Sequence, residues 1–428
     1  MSVPSPGTGL FAVVDGYSAG RFLPPAFDRA GAAVLHVRST PAWLACVPVP
    51  DLRPYVGTLV HDGTRRTVAR LAERGVAGVV AGQETGVPLA DELAERLRLP
   101  GNGTRHSAAR RDKFRMIETV RAAGLHCARQ WKATDGPALA ASATADGCFP
   151  YVVKPLRSAS SDGVTVCRTA AEVRAAADRI LGTTDLFAEP NTEVLMQSYL
   201  DGTEYVVDVV LRDGARHVCG VWRYDKPLRG GRRLYDKDIL VDPDEAPVPE
   251  LIAYVDRVLA ALDIRHGAAH AEVMLTAQGP ALVEIGARLN GNMDPGFHDL
   301  CLGANQADLT ALAYARPDDF VRRYGGTVYR PLRAALVHNA ATSVSGRVEA
   351  VDEDVVATIA ALPTVRLVTP RLGPGDPIRP TVDLITSTLR VHFAGDSLAE
   401  VLADHRRVVA LSDRVYRLAD PARPVGSR

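Results

Sequence analysis

The sequence predicts a mixed α/β and α+β protein built in three units. These are an N-terminal α/β unit over residues 1–107, a central unit over 108–331 with a small subdomain at about 130–200, and a β-rich unit over 332–428. Three observations carry this division. Apolar runs alternate with amphipathic segments through the N-terminal third, longer strand-like runs joined by turns fill the centre, and strands dominate from about residue 332. A chain of 428 residues has room for two or three domains.

The elements follow in order. GLFAVVD is an apolar strand, followed by the loop Gly16-Tyr17-Ser18-Ala19-Gly20 and a helical segment to Arg29. AAVLHVRS and GVAGVVAGQ are further strands, with the helix TRRTVARLAERG between them and PLADELAERLRL after them. Such alternation builds a parallel sheet with helices on its faces, Rossmann-like in pattern. The first loop lacks GxGxxG, so a dinucleotide site there has little support. NGTRHSAARRD is a connection, and DKFRMIETVRAAG is a helix capped by Asp112, with Phe114, Ile117, Val120 and Leu125 on its apolar side. FPYVVKPLRSASSDGVTVC reads as strand, small-residue loop and strand, and AAEVRAAADRIL as an amphipathic helix. TEVLMQSYLDGTEYVVDVVLRDG is a strand, a turn and a longer strand carrying Glu204. HVCGVWRYDK continues the sheet into PLRGGRRLYDKD, a loop rich in glycine and arginine that is expected to be mobile. The helix PELIAYVDRVLAALDI leads into a hairpin. RAALVHNAAT, GRVEAV, TVRLVTP and STLRVHFAG are the later strands, and DSLAEVLADHRRVVAL is a closing helix.

Composition excludes several classes. With 46% hydrophobic and 23% charged residues and a formal net charge of +0, nothing calls for nucleic acid or an anionic membrane as partner. No apolar run reaches transmembrane length, and MSVPSPGTGLFAVVD lacks the layout of a signal peptide, so a cytoplasmic location is expected. The six cysteines, without CxxC spacing, are expected to be reduced and in the core or half-buried. The eleven histidines form no HxxxH-type pair, which gives zinc little support. Of 50 basic residues only five are lysine: Lys113, Lys132, Lys154, Lys226 and Lys237. Lysines that survive such an arginine bias are enriched for places that need a compact ammonium, phosphate pockets among them. Codon bias explains the ratio equally well, but not which five remain.

The stretch AEVMLTAQGPALVEIGARLNG places two carboxylates, Glu272 and Glu284, within apolar runs. A hairpin with the three-residue loop Ala277-Gln278-Gly279 pairs Thr276 with Pro280 and therefore Glu272 with Glu284. Opposed carboxylates repel, and a divalent cation between them removes the repulsion. The alternative is a register that differs by one, or neutralisation of Glu284 by Arg288 alone.

Upstream, Lys154 ends an apolar strand, and the loop 158–163 offers hydroxyls and backbone N–H groups from Ser160, Ser161 and Gly163. Lys113 stands at a helix start, where the macrodipole disfavours a cation. QSYLDGTE carries hydrogen-bonding groups around a turn. The order of lysine on a helix, strand-Lys-Pro with a small loop, QSYLDGTE and paired glutamates resembles the ATP-grasp superfamily from about residue 108 to 330. TEYVVDVVLRDG, WRYDK, HAEVML and VEIGARLNG look like the L-amino-acid ligases that make dipeptides, typified by alanine–anticapsin ligase.

The resemblance implies ATP and Mg²⁺, with Mn²⁺ as an alternative metal. Lys113 and Lys154 would meet the phosphates; Gln197, Tyr199 and Leu200 the adenine; Glu204 the ribose; Glu272 and Glu284 the metal. Arg288 would steady the substrate carboxylate and charged intermediates. Many ATP-grasp enzymes carry a metal-binding asparagine where this chain has Gly286, leaving Asn290 as an alternative oxygen. Trp222, Tyr224, Asn290, Asn292, Met293 and His298 are candidate substrate-lining residues. The implied reaction joins a small-molecule carboxylate and an amine through an acyl phosphate, with loops 158–163 and 228–234 as lids. No protein nucleophile is required, and a homodimer is the family's leaning. Alternatives are a ligase or carboxylase of primary nucleotide or cofactor metabolism, and a non-catalytic nucleotide-binding regulator.

Overall fold

The computed structural model describes residues 9–158, 162–229 and 232–419. The N-terminal alternation forms a parallel sheet in the order Thr58–Val60, Ala33–Arg38, Leu10–Val14, Val76–Ala81. Helices Leu23–Arg29, Thr64–Glu73 and Val87–Arg96 pack around it. The edge strand Thr58–Val60 is a finding of the structure, since three residues are too few to carry a periodic signal.

The centre is an antiparallel sheet of eight strands. Its order is Gly279–Gly286, Gly267–Thr276, Gly202–Arg212, Ala215–Asp225, Lys237–Leu240, Ala334–Ala340, Leu389–Gly395, Val365–Pro370. Strands on both sides of residue 332 therefore share one sheet. PLRGGRRLYDKD is more than a loop: Leu228–Arg229 pairs with Arg232–Arg233, and Lys237–Leu240 is an internal strand. Ile239 and Leu240 are buried there, an apolar pair too short to stand out beside the glycines and arginines.

A smaller antiparallel sheet runs Gln130–Ala133, Val194–Ser198, Tyr151–Pro155, Thr165–Cys167. Helices Gly136–Asp146 and Ala170–Ile180, capped by Asp135 and Thr169, share its core. A cavity of about 540 Å³ lies between the two sheets, lined by Val152, Lys154 and Gln197 from the small one and by Glu204, Tyr224 and Glu272 from the large one.

Arg110 fastens the N-terminal unit to this body. Its fully buried guanidinium donates to Asp91, to the carbonyls of Asn102 and Gly103, and to those of Leu262 and Asp263 beyond the helix Val248–Ala261. Carbonyls at a helix C-terminus lack intrahelical donors, so a buried cation is well placed there. Helices Pro295–Leu302, Gln306–Ala315, Pro317–Tyr324 and Glu353–Ala360 complete the architecture. Three cysteines are buried and Cys127 is half-buried, but Cys46 and Cys148 are exposed, contrary to expectation; both lie in loops, outside the packed strands and helices.

Candidate active site

The hairpin pairs Glu272 with Glu284, but by a different route from the one the sequence suggests. The turn has two residues, 277–278, so Thr276 pairs with Gly279 and Leu275 with Pro280. Carried on unbroken, that register would set Val283 opposite Glu272 and put Glu284 on the other face. A bulge between Glu272 and Val273 in the ladder absorbs one residue of the facing strand and restores the pair. Accordingly Val283 and Glu284, neighbours that a regular strand would point apart, both line the cavity.

Register also fixes the rest of the floor. Glu204 pairs with Tyr224 on one side and Met274 on the other, and Tyr224 pairs with Asp238. One row along, Val206 pairs with Trp222 and with Glu272. Period-two alternation puts both rows on one face of the sheet. Opposite them stands Lys154, at the end of its strand in the small sheet. Lys113 reaches in from the first turn of helix Lys113–Ala122, its Nζ 3.0 Å from Glu284 Oε2 and 2.5 Å from the Ser158 carbonyl.

Four of the five lysines, Lys113, Lys154, Lys226 and Lys237, line this one cavity, and among the described residues no arginine does. Lys132 instead pairs with Glu193 at the surface. Lys226 was not singled out from the sequence. Its Nζ lies 2.5 Å from Glu204 Oε1 and 4.0 Å from Glu272 Oε2, over the rings of Tyr235 and Tyr224 at 3.9 and 4.8 Å. Its place in WRYDK and the scarcity of lysine were the available signals.

The charges are strongly coupled. Burial and the neighbouring Lys113 lower Lys154 to about 8, against the pull of Glu284, Glu272 and Glu204. Burial raises Glu272, but Lys226 and His270 outweigh it and hold this carboxylate ionised, well below its usual range. Glu204 moves the other way, raised by burial and by Glu272 despite Lys226. Burial disfavours the His270 imidazolium, yet Asp208, 2.7 Å from Nδ1, and Glu272, 3.5 Å from Nε2, raise it to about 9. Paired, oxygen-only donors suit a hard dication such as Mg²⁺.

Other predicted residues fall in three places. Gln197, Tyr199 and Leu200 line the cavity; Gln197 donates to Gln130 Oε1, and the Tyr199 N–H is taken by the Pro150 carbonyl. Gly163 adopts φ +67° against Pro155, while Ser160 and Ser161 lie outside the described residues, as do 230–231 of the second candidate lid. Arg288, Asn290, Trp222 and His298 are not among the lining residues. Arg288 Nε donates to Glu84 Oε2 at 2.8 Å, an N-terminal partner that the sequence did not reveal. A side chain at position 286 would begin 3.1 Å from that Glu84 oxygen and 3.2 Å from Arg288 Cζ, so this ion pair would have to give by a few tenths of an ångström to admit one. Asn290 is buried, its amide donating to Asp208 Oδ2 and accepting from the Asn292 N–H, so both its ends are engaged away from the glutamate pair. Trp222 is core, packed on Phe297 and His298, and the His298 Nδ1 meets the Asp294 carbonyl. No described helix is long and apolar enough to cross a membrane.

Comparison with known proteins bears on this geometry. The ATP-grasp domain pattern matches residues 148–295. Dapdiamide A synthase of Enterobacter agglomerans is 34% identical over 388 residues, spanning 88% of this chain and 90% of that protein. The structure of an L-amino acid ligase from Bacillus licheniformis superposes with a TM-score of 0.74 at 19% identity, over 96% of this chain and 99% of the other. The biotin carboxylase domain of Hydrogenobacter thermophilus 2-oxoglutarate carboxylase, solved with magnesium ADP, shares the fold with a TM-score of 0.61 at 14% identity, over 95% and 90% of the two chains. With its paired carboxylates facing a lysine-lined cavity and dapdiamide A synthase matched along nearly its whole length, this chain belongs to the ATP-grasp family as an ATP-dependent, amide-bond-forming ligase.

Proposed function

We propose that the enzyme activates the carboxylate of one amino-acid-like substrate as an acyl phosphate and joins it to the amine of a second, in specialised metabolism. The observation that carries this is the cavity in which Lys113 and Lys154 stand across from Glu272 and Glu284. In this reading the two lysines hold the phosphates, and the two glutamates hold Mg²⁺. Gln197, the Tyr199 carbonyl and the Leu200 N–H receive the adenine, while Glu204, already gripped by Lys226, takes the ribose hydroxyls. Bound Mg²⁺ supplies neutralising charge at the phosphoryl oxygens.

The substrate carboxylate oxygen forms a bond to the γ-phosphorus as the bond to ADP breaks. The incoming amine nitrogen then attacks the acyl carbon, inorganic phosphate leaves, and the nitrogen gives up a proton. Positioning and electrostatics carry both steps, so the chain needs no nucleophile of its own. Arg288, held by Glu84, would steady the carboxylate and the negative charge that develops beside it. Asn290, Trp222, Tyr224 and His298 would then shape the substrate side, Asn290 and His298 through the buried groups they orient. The amino-acid reading is supported by the similarity to dapdiamide A synthase and by the likeness to an L-amino acid ligase fold.

Phosphate release from Mg²⁺-ATP with pairs of amino acids, followed by mass spectrometry, tests it. A product equal to the two substrates less water is expected. Release that ignores the amino acids, or none with any pair, would overturn the reading. Arg288→Lys, which keeps the charge and removes the fork, should lower amide formation by about 10²-fold while ATP binding is retained.

A further inference from the structure

We propose a second metal site at Asp236, His338 and His405, for a dication of the Zn²⁺ type and distinct from the glutamate pair. The three residues come from remote parts of the chain. Asp236 directly precedes strand Lys237–Leu240, His338 lies on Ala334–Ala340 and His405 on helix Leu398–Leu411. Both histidines are buried. Asp236 Oδ1 is 3.3 Å from His338 Nδ1, His405 Nε2 is 3.2 Å from that same nitrogen, and one potential ligand atom from each residue lies within 4.8 Å of the others. Bonds of about 2.0–2.1 Å in a tetrahedron space the ligand atoms roughly 3.3 Å apart. Two edges already match, and the third is within 4.8 Å.

Hydrogen bonding explains the cluster less well. His338 Nδ1 also lies 2.8 Å from the Asp236 carbonyl, so it has one proton at most for three neighbours. A cation satisfies Oδ1 and both nitrogens together. The other carboxylate oxygen, Asp236 Oδ2, accepts from Lys237 Nζ at 2.7 Å, as ligating carboxylates are commonly held from outside. Two imidazoles and one carboxylate favour Zn²⁺, Co²⁺ or Ni²⁺ over Mg²⁺. The consequence is positional. Tyr235, Asp236 and Lys237 line the nucleotide cavity, so an ion here would pin that wall to the C-terminal strand and helix.

The experiment is titration of untagged, chelator-stripped protein with Co²⁺ in excess Mg²⁺, read by visible absorption. One equivalent with tetrahedral bands, displaced by Zn²⁺, is expected. The bands should persist in Glu284→Gln, and His338→Ala and His405→Ala should each bind Co²⁺ at least about tenfold more weakly. Should either alanine variant misfold, Asp236→Asn, which keeps the side-chain shape, decides the matter by the same loss. Absent bands, or bands unchanged in the folded variants, would overturn the proposal.

Discussion

At the scale of single residues, Lys154 is held where burial and Lys113 both work against its proton, near 8 rather than 10.5. Phosphates arriving beside it favour the charged form, so nucleotide binding should take up a proton between those two values and weaken as pH rises above about 8. Calorimetry at pH about 9 in buffers of different ionisation enthalpy should detect that uptake, and Lys154→Met should abolish it together with about 10²–10³ of kcat/KM. His270 is shifted the other way. Its folded pKa, about 9, lies above the ordinary 6.5, so its stabilisation is complete below 6.5 and is lost as pH rises through 9. Urea unfolding across that window should show a fall of up to about 3 kcal/mol that flattens in His270→Gln. These two residues differ in legibility. Lys154 stood out as a rare lysine after an apolar strand, whereas the state of His270 depends on Asp208, a residue 62 positions away.

At the scale of elements, the hairpin shows how a correct pairing can have another cause. Opposed glutamates were readable because both apolar runs were strand-like and the turn lay between them, but a bulge leaves no mark that alternation reveals. The strand Gly202–Arg212 depends on a close approach as well. A Cβ at Gly202 would lie 2.1 Å from the Leu275 carbonyl oxygen, a backbone atom that cannot swing aside. Gly202→Ala should therefore cost about 1–3 kcal/mol in chemical denaturation and raise the KM for ATP, because Glu204 is two residues on. An unchanged unfolding midpoint would mean that the strand edge yields.

At the scale of the whole molecule, two arginines join the N-terminal unit to the rest: buried Arg110 to the end of a central helix, and half-buried Arg288 to Glu84. Glu84 is held below the usual carboxylate range, since Arg288, Arg111 and Lys113 outweigh the burial that raises it. Glu84→Gln would take the nearest countercharge from Arg288, and losing a hydrogen bond between charged groups costs about 1.5–3 kcal/mol. Thermal unfolding should register that loss, and amide formation should fall with it, because the guanidinium would no longer be aimed. If stability drops while product formation does not, Arg288 is only a clasp.

The sequence by itself determined the strands and helices with strong periodicity and the parallel N-terminal sheet, because each is encoded within a few neighbouring residues, and it marked Glu272, Glu284, Lys113 and Lys154 as candidates for one site. The tertiary structure alone decided that Lys226 joins Glu204, that Arg288 meets Glu84, that Asn290 turns away from the glutamates, and that two histidines 67 positions apart touch. Those contacts arise where separate sheets and helices close on one another, and no local spacing records which side chains will meet when they do.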